Sequence, residues 1–119
     1  MESANEAVRL VAAEFARQGG YARVEPAFLE NGQPDLAGAV RLLAAQGARE
    51  IHVLPYFLTL GIHLQRDLPG MAAGVERELP GVKLTLAPPL DGHPALAAIL
   101  LDRARQSLQS SHGAGRHAT

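Results

Sequence analysis

The chain has 119 residues, no cysteine, a formal net charge of −1, and apolar and charged fractions of 47% and 19%. That length suits one domain with a real hydrophobic core, and the near-neutral charge gives no pull toward nucleic acid or an anionic membrane. Disulfides, thiolate zinc sites and iron–sulfur clusters are excluded, so any metal must be held by His, Asp or Glu.

The N-terminal stretch MESANEAVRL has no basic region followed by an apolar one, so no secretion signal is expected and the cytoplasm is the default location. Nor does any apolar run approach the ~20 residues of a membrane span. Ser3 to Gln18 reads as a helix. Ser3 and Glu6 match a capping box, Val8, Val11, Ala12 and Phe15 recur at helical spacing, and Gly19-Gly20 supplies a stop. Arg23 to Leu29 reads as a strand containing Pro26. Pro34 suits the first turn of a second helix with Leu36, Val40 and Leu43 on one face, ended by Gly47. Glu50 to Leu58, EIHVLPYFL, is a nearly continuous apolar run, as expected of a strand covered on both faces in a parallel sheet. A third helix is expected over Asp67 to Leu79, with Leu68, Met71, Val75 and Leu79 aligned and Asp67 placed to cap it. Lys83 to Ala87 reads as a short strand. Pro94 opens a last helix reaching about Gln109. The small, polar residues after it give a domain at 1–109 and a disordered tail at 110–119.

This alternation predicts an α/β domain with a small parallel sheet of three strands flanked by helices in three layers. The first helix has no strand before it, although in this architecture a strand would normally feed it. Open parallel sheets bind ligands beyond the carboxyl ends of their strands. That rule selects Glu30 after the first predicted strand, His63 after the second and His93 after the third. Imidazole and carboxylate together suit divalent cobalt, nickel, iron or zinc, and an imidazole can also accept protons. Each candidate has a plain alternative. His63 and Glu30 could be ordinary loop residues, and His93, just before Pro94, could do no more than shape a turn. His52 lies within a strand and reads as a packed or edge residue, while His112 and His117 sit in the tail. Arg66 could meet an anionic ligand or simply be solvated. Glycine-rich phosphate loops and the G-x-S-x-G elbow are absent from the sequence.

The segments VEPAFLENGQPDL, GAREIHVLPYFLTLGIHLQRDLPG and APPLDGHPAL together resemble the short-form sirohydrochlorin cobaltochelatases, the CbiX type of the class II chelatase superfamily. The similarity runs from about Ser3 to Asp102. It implies a chelatase-like fold and a lyase that inserts a divalent cation, usually Co2+, into the tetrapyrrole sirohydrochlorin on the way to cobalamin. Family members hold the metal with one histidine from G-x-H and one from an N-terminal H-G-S-R, with the A-F-L-E glutamate nearby. His63 matches the G-x-H histidine and Glu30 the A-F-L-E glutamate; His93 matches a position not usually counted among the ligands. The family's first strand and its H-G-S-R have no counterpart in this sequence. Two readings stay open: a start codon upstream of Met1, or a short chain in which another subunit or a rearranged sheet fills the place.

The resemblance further implies that His63 and Glu30 hold the metal loosely enough to release it and take up the pyrrole protons. Arg66 would meet the substrate's carboxylates, and Tyr56, Phe57 and Leu60 would flank the ring. No nucleotide or organic cofactor is expected, and a homodimer is. The alternatives are the same chemistry with Fe2+ or Ni2+, and a non-catalytic metal- or tetrapyrrole-binding subunit.

Overall fold

A computed structural model of the chain describes residues 2–30, 32–58 and 61–110. In chain order these form α1 (Glu2–Gly19), α2 (Leu36–Ala45), β1 (Glu50–Val53), α3 (Ile62–Glu78), β2 (Lys83–Leu86) and α4 (Ala95–Ser110). The α/β class with a parallel sheet is as the sequence predicts. β1 and β2 pair in parallel, Glu50 beside Lys83 through Val53 beside Leu86, with α3 as the crossover.

The core lies where α2 and α3 pack onto one face of this sheet. Val40, Ile51, Val75 and Val82 are its buried centre, with Leu36, Leu43, Leu79 and Leu84 packed around them. α2 starts well because Asp35 holds extended backbone and its carboxylate accepts the Gly38 N–H at 2.8 Å. The predicted stops also hold: Gly20 and Gly47 sit at φ 71° and 102°, a region that side chains resist. On α1, Glu14 accepts hydrogen bonds from Arg17 and Gln18, and these hold its carboxyl below the usual carboxylate range. No described helix is long and apolar enough to cross a membrane.

Four expectations are corrected. Arg23 to Leu29 forms no strand: Pro26 lacks a ladder N–H, and Phe28 instead donates to the Pro34 carbonyl at 2.9 Å, closing a turn. The described sheet therefore has two strands, not three. β1 ends at Val53 rather than Leu58 because Pro55 cannot donate, and it is not covered on both faces, since Glu50 and His52 are exposed while Ile51 is buried. Helix α3 begins at Ile62, five residues before the expected start, so Asp67 lies in its second turn and caps nothing; the N-cap is Gly61. α1 begins at Glu2, so Ser3 is inside the helix rather than at its cap, and Glu6 pairs with Arg9 at 3.7 Å. The tail expected at 110–119 lies outside the described residues apart from Ser110, which closes α4.

Candidate functional site

His63 occupies the first turn of α3, exposed to solvent, two residues after the N-cap. Gly61 has no side chain with which to cap this end, in contrast to Asp35 on α2. A helix N-terminus concentrates partial positive charge on its unbonded N–H groups and attracts anionic groups. Arg66, one turn further along the same helix, is also exposed and adds a full positive charge.

The segment leading from β1 into α3 is unusually apolar for a surface. Leu54, Tyr56, Leu58 and Ile62 are 51%, 52%, 73% and 72% exposed. Pro55 is buried beneath them and Phe57 is half-buried. These four large apolar side chains are exposed along the chain leading into the helix that carries His63. Leu60 falls outside the described residues.

Glu30 closes the Arg23–Glu30 segment and is exposed. Its approach is fixed from behind. Phe28 is buried, the Arg9 guanidinium lies 5.3 Å over its ring, and a Cβ added to Gly32 would meet the ring at 2.8 Å and Asn5 Nδ2 at 2.5 Å. Asn5 is itself buried, so the start of α1 is the wall against which this turn is set. A groove of about 330 Å3 opens beside it, lined in part by Phe28, Leu29, Leu36, Met71 and Glu78.

His93 serves the chain itself. Its Nδ1 accepts the Ala95 N–H at 3.0 Å and its carbonyl accepts the Leu96 N–H at 3.1 Å, which starts α4. His52 is an exposed residue of β1 that meets Glu50 at 3.2 Å. Among the described residues, no three His, Asp or Glu side chains gather closely enough to hold a metal ion, so His63 and Glu30 do not by themselves form a closed coordination shell. Sequence reasoning placed His63 in a loop and missed the uncapped helix end beneath it; the cue was Gly61 directly before a run that continues at helical spacing through Leu68.

The profile of the family described as CbiX matches residues 1–107. The sirohydrochlorin cobaltochelatase of Sulfurisphaera tokodaii is 35% identical over 88 residues, covering 74% of this chain and 70% of that protein. The chloroplastic sirohydrochlorin ferrochelatase of Arabidopsis thaliana is 33% identical over 99 residues, which are 83% of this chain but only 44% of the relative's length. Among solved structures, a CbiX protein of Marinobacter aquaeolei VT8, assigned to cobalamin (vitamin B12) biosynthesis, superposes with a TM-score of 0.71 at 29% identity, covering 84% of this chain and 82% of that one.

Proposed function

The chain belongs to the CbiX family, and from that premise we propose that it is a chelatase that inserts a divalent cation, Co2+ in first place, into sirohydrochlorin in tetrapyrrole biosynthesis. The observation that carries this reading is His63, exposed at the uncapped start of α3 beside a patch of exposed apolar side chains. Relatives named for both cobalt and iron insertion support the reaction class and leave the ion open.

In this account His63 ligates the incoming ion through a ring nitrogen, and Glu30 supplies a carboxylate oxygen from the turn set by Phe28 and Gly32. The macrocycle lies against Tyr56, Phe57 and Leu60, with Arg66 paired to a peripheral carboxylate. The dication replaces the two pyrrole N–H protons, so charge balances. The imidazole or Glu30 takes up those protons as nitrogen–metal bonds form. An ion held by few protein ligands is released readily to the tetrapyrrole nitrogens. A homodimer and a cytoplasmic location belong to the same proposal.

A second reading has one observation in its favour. Because no group of three potential ligands forms among the described residues, the chain could hold metal or tetrapyrrole without turning it over. Mixing the chain with sirohydrochlorin and Co2+, Fe2+ or Ni2+ and following absorbance separates the readings. The chelatase reading requires a rate above the uncatalysed one with at least one ion. Binding of either partner with no such rate would replace it with the carrier reading.

A further inference from the structure

Glu30 belongs to a turn that α1 holds from one side. The turn is closed by the Phe28 N–H, which donates to the Pro34 carbonyl at 2.9 Å. Two side chains of α1, Asn5 and Arg9, lie against it. They are four residues apart and so share one face of the helix. Asn5 is buried, and its Nδ2 stands 2.5 Å from where a Cβ on Gly32 would be. Arg9 reaches Phe28, with its Cζ 5.3 Å from the ring centroid.

The contact between Arg9 and Phe28 is of a kind that orients a ring. A guanidinium within about 6 Å of a ring centroid is drawn to the face of the ring, and more strongly where water is withdrawn. Phe28 is buried, and the Arg9 side chain is 35% exposed. Arg9 also meets the Glu6 carboxylate at 3.7 Å, but that carboxylate is mostly exposed and such a pair contributes little. Phe28 is two residues from Glu30, so a shift of the ring in its seat passes along the backbone to the carboxylate. A carboxylate oxygen that binds an ion such as zinc must come within about 2.2 Å of it, so capture is sensitive to small displacements of the ligand.

We propose that Arg9 is a positioning residue for metal capture: its guanidinium seats the Phe28 ring, and the seated ring sets the turn from which Glu30 meets the ion. The inference rests on the chelatase reading, in which Glu30 offers a carboxylate oxygen to the metal.

Co2+ insertion into sirohydrochlorin, with each substrate varied in turn, tests it in the parent chain, Arg9→Ala, Glu30→Ala and the double variant. Circular dichroism confirms that each is folded. Arg9→Ala should raise KM for Co2+ about threefold, the factor that a partly exposed cation–π contact supplies, and leave kcat and KM for sirohydrochlorin unchanged. Arg9→Lys keeps a cation for the ring and should recover most of the loss. In the Glu30→Ala background, Arg9→Ala should add nothing, because Arg9 acts through Glu30. Equilibrium dialysis of Co2+ against the same chains gives the same comparison without turnover. If no chain inserts metal yet Arg9→Ala weakens Co2+ binding only where Glu30 is present, the chelatase reading falls and the positioning role stands. Additive losses, no recovery with Arg9→Lys, an equal rise in KM for sirohydrochlorin, or no Co2+ binding by the folded parent chain would each overturn the proposal.

Discussion

Val40→Ala should unfold the protein more readily by about 2 kcal/mol, a figure that follows from its surroundings. Val40 is 2% exposed and sits among Ile51, Val75 and Val82, where α2 meets the sheet. Deleting two carbon groups forfeits ~1.6 kcal/mol of transfer free energy. The void they leave, on the order of 50 Å3, adds about 1 kcal/mol if it does not collapse. The Arg41–Glu78 pair, at 3.0 Å, also links α2 to α3, but it is solvent-exposed and contributes little. Alanine's better helix propensity returns roughly 0.5 kcal/mol. A domain of this size is stable by on the order of 10 kcal/mol, so the loss is readily measured. Thermal and urea unfolding followed by circular dichroism should show a midpoint lowered by about 8 °C. A change below ~0.5 kcal/mol, the level of ordinary surface substitutions, would mean that this cluster is not the core.

Asp35→Ala removes the α2 cap and should cost about 1 kcal/mol in the same unfolding experiments, with Asp35→Asn recovering most of it. Gly32→Ala drives a methyl group into the Phe28 ring and Asn5, and should displace the turn that carries Glu30; if chelation follows the proposed route, the rate falls while the far-UV spectrum holds. Glu14 carries the resolved carboxylate shift. Its folded pKa is lowered, so the contribution it makes to α1 is present above the ordinary carboxylate range and is lost as pH falls through the lower folded value. Helical signal from α1 should therefore decline in acid in the parent chain and show no such step in Glu14→Gln. Glu76→Ala frees the Leu84 N–H and should leave the β2 edge open, seen as increased association by light scattering.

Much of the helical framework was legible in the residues. Val8, Val11, Ala12 and Phe15 marked α1, Pro34 and Gly47 bracketed α2, and Pro94 announced α4 to within a residue. The start of α3 was not, because Pro69 mimics a first-turn proline two residues after an apparent cap at Asp67, whereas the helix runs through it. β1 was overextended for a related reason. The apolar run beyond Val53 hid the alternation of Glu50, Ile51, His52 and Val53 that sets one face outward. The strand expected at Arg23 to Leu29 carries Pro26, which cannot donate to a ladder, and a strand also needs a neighbour to pair with, which is a property of the assembled sheet. His63, Glu30 and Arg66 could be selected from the sequence by topology and motif. The support behind them, from Asn5 and Arg9 around Phe28 to the Glu76 cap on β2, depends on contacts between distant segments that no spacing reveals.

The most direct test of the functional account is Co2+ insertion into sirohydrochlorin by His63→Ala beside the parent chain, followed by absorbance, with Glu30→Ala as a milder companion. His63 is exposed, so its replacement should leave the unfolding midpoint unchanged. Loss of insertion in a folded His63→Ala protein, with partial loss in Glu30→Ala, is the result this account predicts. Full activity without the imidazole would contradict it.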